Sequence, residues 1–302
     1  MLNSHYFSFL THNIKTRFTG LKLPLLAGFK ITHRCNLQCR GCPFWKLKTP
    51  GPSYSQVLSI LDKLYLDGVR LVIFEGGEPF LWKDANHKLE DVIQYARKKF
   101  FCVGITTNGT FPIITSADTV WVSLDGMSAT HNMNRGESFN RVITNIENSP
   151  HPHILANVTI NRLNYQEIPD LIQFLKNKVK GITFQFYYPF PDSEDLWLSQ
   201  TERVAILDKL ISMKKAGYPI LNATRVLDAM KKNTWKCHPW LIGSVEPDGQ
   251  VSYGCYLKNR AEIACEKCGF AAHAELSMAY DWHLPSILIG RKVFKFRFFE
   301  KK

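Results

Sequence analysis

The chain has 302 residues, 45% hydrophobic and 13% aromatic, enough for one large domain or a large domain with a small companion. Eight cysteines are too dilute for a secreted disulfide scaffold, the first residues lack an apolar signal segment, and no run approaches the roughly 18 apolar residues a membrane span needs, so a cytoplasmic protein, peripherally membrane-associated at most, is expected. Of the formal charge of +12, residues 1–24 and 291–302 contribute +8; the middle is only mildly basic, and no nucleic-acid partner is expected.

In chain order, residues 1–24 read as an amphipathic helix: Phe7, Leu10, Ile14, Phe18 and Leu21 recur at spacings of three and four, with Lys15 and Arg17 beside them. Apolar and β-branched runs predict strands at 27–32, 70–75, 101–107, 119–124, 154–160 and 181–188. Helical stretches at 53–68, 84–100, 137–149 and 164–181 separate them, several opening on Ser, Asp or Asn and two closing on Gly. Alternating βα units imply a parallel sheet with right-handed crossovers, doubly wound or curled into a barrel. Two helical segments follow residue 192, then a Cys-, Gly- and Pro-containing region at 235–272. The expected organisation is a helix at 1–24, the βα body and following helices at 25–232, a small Cys-rich module at 233–272 and a basic aromatic tail at 273–302. In that tail Phe294, Phe296 and Phe298 alternate with Lys295 and Arg297, so an extended chain would be apolar on one face and cationic on the other.

The chemistry gathers at the carboxyl ends of the predicted strands. Cys35, Cys39 and Cys42 follow the first, EGGEP (75–79) the second, TNG (107–109) the third, and SLDG (123–126) ends the fourth. That face carries the active-site loops of parallel barrels and open sheets. Cys-x3-Cys-x2-Cys supplies three soft thiolates and no fourth local ligand, which suits an iron-sulfur cluster with one open iron. A zinc loop completed from elsewhere, or three buried core cysteines, are the alternatives.

The set CNLQCRGC, GGEP, TTNGT and VSLDGMSATHNMNRGESFNRVITNI, spread over residues 27–190, resembles the radical S-adenosylmethionine (SAM) enzymes. The resemblance implies an α/β fold, a partial (β/α)6 TIM-type barrel, in which Cys35, Cys39 and Cys42 hold a 4Fe-4S cluster and SAM chelates its fourth iron. It further implies that Gly76, Gly77 and Glu78 help to bind the methionyl end, with Asn108, Ser123 and Asn161 as candidate contacts to SAM. Reductive cleavage of SAM would then give a 5′-deoxyadenosyl radical that abstracts hydrogen from substrate or adds to it, with ferredoxin or flavodoxin as reductant. One position departs from the family: the residue before the last Cys, usually aromatic, is Gly41, and Phe44 or Trp45 is expected to supply the stacking surface instead. Gln185 and Tyr187 share one face of the sixth strand and Tyr188 the other, so only one set faces the cavity. Arg135 and His131 lie in a segment the family uses near its active-site mouth, where a solvated charge is an equal reading.

A second constellation, Cys237, Cys255, Cys265 and Cys268, sits in a segment that resembles the SPASM and twitch auxiliary-cluster domains, with a Pro-Asp-Gly turn between the first two cysteines. It implies a second 4Fe-4S cluster with four cysteine ligands; a structural zinc fits the same four thiolates. Cys102, inside a strand pattern, reads as core. Two classes remain: an enzyme acting on a small molecule, a peptide or, given the basic aromatic ends, a lipid or other apolar substrate; or an iron-sulfur electron carrier that does not cleave SAM.

Overall fold

The computed structural model describes residues 4–296; the Phe7 side chain, Arg297 and Phe298 of the two terminal stripes lie outside what it describes. An eight-stranded sheet has the order β10-β9-β1-β2-β5-β6-β7-β8. The six predicted strands appear as β1 (Leu26–Thr32), β2 (Leu71–Gly76), β5 (Cys102–Thr107), β6 (Thr119–Ser123), β7 (Ile154–Ile160) and β8 (Gly181–Phe186), all parallel to their neighbours. A two-stranded hairpin, β3 (Lys83–Asp84) with β4 (His87–Lys88), decorates the second crossover. The sheet curls into a partial barrel that does not close: β8 and β10 are its last strands, and the outer side of β8 is covered by the segment 219–222, with Ile182 bridged to Ile220.

Helices α1 (Ser4–Thr19), α2 (Tyr54–Leu66), α3 (Leu89–Arg97), α4 (Ser128–Arg135), α5 (Phe139–Glu147) and α6 (Ile168–Leu175) precede or link these strands. Beyond them lie α7 (Gln200–Lys215), α8 (Thr224–Ala229), α9 (Ala271–Tyr280) and α10 (Leu284–Val293). In α2 a Ser53/Gln56 capping box opens the helix, and Val57, Leu61 and Leu64 at spacings of four and three form its buried stripe. Strand alternation sorts side chains between two destinations. Phe29, Ile31, Val72, Phe74, Val103, Ile105, Val120 and Val122 join the helix-side core, whereas Lys30, Glu75, Thr106, Ser123, Asn157, Thr159, Thr183 and Gln185 face the barrel interior.

Three features differ from expectation. The Cys-rich region is not a free-standing appendage: β9 (Ile242–Val245) pairs in parallel with β1, Leu26 opposite Ile242, and turns through Pro247, Asp248 and Gly249 (φ 87°) into antiparallel β10 (Val251–Tyr253). The predicted extended tail is helical through Val293, and Phe294 packs edge-on to Trp121 at 5.7 Å within a cluster at the strand starts that includes Leu25, Leu26, Leu71, Cys102 and Ile242. The FKF alternation is too short to specify a strand once a helix delivers it to an apolar floor. Finally, α1 covers that floor with Phe9 but points its predicted stripe outward: Ile14, Phe18 and Leu21 are exposed, and Asn13 and Thr16 are buried.

Candidate active site

A cavity of about 740 Å³ fills the barrel interior, and Cys35, Cys39 and Cys42 line it, on the loop that leaves β1. Two of the three cysteines are approached by donors. The Leu37 N–H donates to Cys35 Sγ at 3.4 Å, Asn108 Nδ2 lies 3.8 Å from the same sulfur, and Arg135 Nη1 lies 3.9 Å from Cys39 Sγ. Burial raises both thiols, Cys39 to about 11, against the pull of Leu37 and Asn108 on the first and of Arg135 on the second. The sulfurs therefore hold their protons until a metal displaces them, after which the same donors stabilise the thiolates. Among the described residues no three His, Cys, Asp or Glu side chains converge on the position of a single metal ion. A four-iron cluster asks for a different arrangement, because each thiolate takes its own iron.

Arg135 is aimed by Asp125, the residue after Leu124 at the end of β6. Asp125 accepts from Arg135 Nε at 2.6 Å, from Asn134 Nδ2 at 2.8 Å and from the Thr159 N–H at 3.0 Å. Burial alone would lower the Arg135 pKa, but Asp125, with Cys39 behind it, raises it instead. His131 does not reach the cavity: it is buried between the Asp125 N–H and Ser138 Oγ, and burial lowers it to about 4, so it is a neutral structural ring.

The GGEP loop splits into two roles. Gly76 and Gly77 line the cavity and lie against the backbone that follows β1; a Cβ would stand 2.2 Å from Thr32 O at Gly76 and 2.3 Å from Arg34 O at Gly77. No other residue allows so close an approach. Glu78, expected to contact SAM, is fully buried away from the cavity. Its carboxylate accepts from Thr107 Oγ1 at 2.9 Å, the Asn108 N–H at 2.8 Å and the Phe80 N–H at 3.2 Å, and burial outweighs these bonds to lift it to about 7. It fixes the loop after β5, and so it fixes Asn108, whose amide also donates to Asn36 Oδ1 at 2.9 Å. Asn108, Ser123 and Asn161 all line the cavity, from three strand ends.

Gly41 has φ 78°, and a Cβ there would meet Leu196 and the Tyr187 hydroxyl at 2.7 and 2.8 Å. Tyr187 donates to Gly41 O at 3.1 Å, so a ring just past the end of β8 stands where an aromatic residue at 41 would have to go. Phe44 and Trp45 line the cavity, Phe44 stacked on His33 at 6.0 Å and Trp45 donating Nε1–H to Cys39 O at 3.3 Å. Gln185 bonds to Thr159 Oγ1 at 3.3 Å. Tyr188 also lines the cavity, because the chain leaves regular strand geometry after Phe186; its hydroxyl is spent on Glu262 O at 2.7 Å.

Two structural groups escaped the sequence reading. Asp125 was hidden as one acid in a turn-like SLDG. Lys30 carried a signal, a lysine inside the apolar AGFKIT. It is buried, paired with Glu75 Oε1 at 2.7 Å, and lies 4.9 and 4.7 Å from the ring centroids of Phe44 and Tyr256. Burial, the largest single influence, pulls its pKa down, and Glu75, Tyr256 and Glu246 together more than reverse that, so the charge stays. Phe44 and Tyr256 belong to the two Cys loops, so Lys30 ties the first loop to the second. In the second cysteine constellation, burial raises Cys237, Cys255 and Cys268, the last to about 11, with Cys255 adding to the rise at Cys237, and Cys237 and Cys255 to that at Cys268. Arg203 donates to Cys268 O at 2.7 Å and holds that loop to α7.

The radical SAM superfamily model matches residues 29–184, half of the chain. The chain belongs to the radical SAM superfamily. It is accordingly an enzyme that uses a 4Fe-4S cluster and SAM, and the electron-carrier alternative falls away. The three thiols on one wall, their N–H donors and the glycine cradle fit those groups. Fe-coproporphyrin III synthase of Methanosarcina barkeri is 28% identical over 229 residues, 67% of this chain and 55% of its own length. The antilisterial bacteriocin subtilosin biosynthesis protein AlbA of Bacillus subtilis is 29% identical over 205 residues, 61% of this chain and 44% of its own. The chain thus spans about half the length of the curated relatives it matches. The fold is that of Streptococcus suis SuiB bound to S-adenosylmethionine, with a TM-score of 0.65 at 13% identity over 91% of this chain and 68% of SuiB.

Proposed function

We propose that this radical SAM enzyme modifies a peptide or protein substrate. In this reading Cys35, Cys39 and Cys42 hold the SAM-binding cluster, the Gly76–Gly77 backbone receives the methionyl end, and Asn108, Ser123 and Asn161 offer polar contacts to SAM. Glu78 positions the loop that carries Asn108. Cys237, Cys255, Cys265 and Cys268 hold an auxiliary cluster. When bound and reduced, the first cluster supplies the electron that cleaves SAM, and SAM supplies the carbon radical that abstracts a substrate hydrogen or adds to substrate.

The residues of the chain prepare that chemistry. The Leu37 N–H and the Asn108 amide offset charge at Cys35, and Arg135, held by Asp125, does so at Cys39. Lys30 holds the two cysteine loops in register through Phe44 and Tyr256. Ferredoxin or flavodoxin is the expected electron donor.

The observation that supports a peptide is the inner wall. Thr106, Ser123, Asn157, Thr159, Thr183, Gln185 and Asn222 present hydroxyls and amides from successive strands and the segment after β8. Part of this wall is already paired, Thr183 with Asn157, Gln185 with Thr159 and Asn222 with the Phe184 backbone; burying an acyl chain against the polar atoms that remain would leave them without partners, whereas a peptide brings donors and acceptors of its own. Among similar proteins, AlbA serves the biosynthesis of a bacteriocin, SkfB of Bacillus subtilis is a sporulation killing factor maturation protein, and a SuiB structure holds the precursor peptide SuiA. The lipid reading rested on the basic aromatic ends of the chain, and at one of them Phe294 and Phe296 pack into the barrel floor. The test has two parts: 5′-deoxyadenosine release from reconstituted enzyme with reductant, and mass comparison of peptides and lipids between a deletion strain and its parent. A peptide whose mass changes supports the proposal; changes confined to lipids or to small molecules overturn it.

A further inference from the structure

Two helices at the barrel floor are amphipathic the wrong way round for a face left in water. In α1, Asn13 is fully buried with neither amide atom partnered, while Ile14 and Phe18, one turn apart, are 45% and 85% exposed, and Leu21 just beyond is also exposed. In α10, Ser286 is buried, donating to Glu275 Oε2 at 2.9 Å, while Leu284 and Leu288, one turn apart, are 61% and 48% exposed. Both helices thus leave large apolar side chains in water while part of the buried face is polar, Asn13 and Thr16 in α1 and Ser286 beside the half-buried Ile287 and Ile289 in α10. The two are neighbours: Arg17 of α1 donates to Tyr280 O at 2.6 Å and pairs with Asp281 at 3.1 Å, and Asp281 leads through exposed Trp282 into α10.

Charge says what this face fits. No Asp or Glu occurs in residues 4–24 or 282–296, whereas Lys15, Lys22, Arg291, Lys292 and Lys295 are exposed there; of the acids that touch these helices, Asp281 is held by Arg17 and His238, and Glu275 lies beneath α10 and accepts from Ser286. Exposed aliphatic and aromatic side chains ringed by lysine and arginine match a surface with an apolar interior and an anionic rim.

We propose that α1, the Trp282 loop and α10 form a docking face for an anionic lipid bilayer. The face lies at the starts of the strands and the loop of Cys35, Cys39 and Cys42 at the end of β1, so a docked chain keeps its SAM-binding end away from the headgroups. Membrane attachment is thereby independent of a lipid substrate, and it suits a substrate peptide that is itself presented at a membrane.

The test is co-sedimentation of the cluster-loaded full chain with vesicles of phosphatidylcholine alone and of phosphatidylcholine mixed with phosphatidylglycerol. The proposal expects binding to the mixed vesicles only. Lys15→Gln with Lys292→Gln should weaken partitioning about 25-fold, about fivefold for each cation. Phe18→Ser should weaken it on the order of tenfold or more. All these positions are exposed, and unchanged melting temperature and 5′-deoxyadenosine release would show that the variants are folded. Equal binding to neutral vesicles, no binding to either, retention by the charge and Phe18 variants, or concentration-dependent self-association that the same variants abolish without any vesicle binding would each overturn it.

Discussion

Replacing Asp125 by Ala strands a charge. Arg135 loses its 2.6 Å partner while remaining buried, and the Asn134 amide and Thr159 N–H lose their acceptor. Breaking a buried ion pair from one side costs about 3–5 kcal/mol, because the remaining charge is neither paired nor hydrated. For a chain of this size each kcal/mol moves the melting midpoint by about 2 °C, so Asp125→Ala should lower it by about 6–10 °C. The double variant Asp125→Ala/Arg135→Met removes both charges and should recover at least about half of the loss, a coupling of about 1–3 kcal/mol. Denaturant unfolding of the metal-free chain gives the energies, and iron content after reconstitution reports whether Cys39 still ligates without its guanidinium neighbour. A loss below about 1 kcal/mol for the single variant, or a double variant no better than the single, would refute the view that Asp125 exists to hold Arg135 in place.

Cys35→Ala, Cys39→Ala and Cys42→Ala should each abolish 5′-deoxyadenosine release and remove one cluster's iron, while the triple variant keeps iron and sulfide at the four later cysteines; zinc found there instead would make that group a structural site. Gly77→Ala should cost SAM affinity, read by equilibrium binding, because its Cβ would lie 2.3 Å from Arg34 O and the loop must move; unchanged affinity would remove that loop from the SAM site. Gly41→Phe should misfold the cysteine loop in the presence of Tyr187 and be better tolerated with Tyr187→Ala, as read by cluster loading of the two variants. Burial raises Glu78 and Glu275 from 4.5 to about 7. The native chain therefore keeps protons that the unfolded chain has released, so stability is full below about pH 4.5 and declines until about pH 7; urea unfolding across that range should show the decline, and Glu275→Gln should lessen it.

The barrel was legible because its signals are local and repetitive. Each of the six strands lies within two residues of its predicted bounds, and Ser53 with Gln56 announces α2 by itself. The cysteine, glycine and asparagine positions could be assigned to one face because every parallel strand delivers its end to the same rim. What stayed hidden depends on partners far apart in sequence. Asp125 matters only once β6 brings it to Arg135, and the bracing bonds of Glu78 exist only because Thr107 and Asn108 arrive on another strand. The outward stripe of α1 was readable as a stripe but not as outward, since periodicity gives the face and not its direction.

The pairing of β9 with β1 makes the two ends of the reaction vessel one piece of cloth. The superfamily match ends at residue 184, yet a chain trimmed there, or anywhere before residue 246, would leave the Leu26–Phe29 backbone without the neighbour it bonds to. An apolar strand laid open in that way recruits other chains. Gene fragments carrying only the SAM-binding portion should therefore yield inclusion bodies, and recombination that shuffles auxiliary regions among relatives must carry the hairpin along with the cysteines it supports.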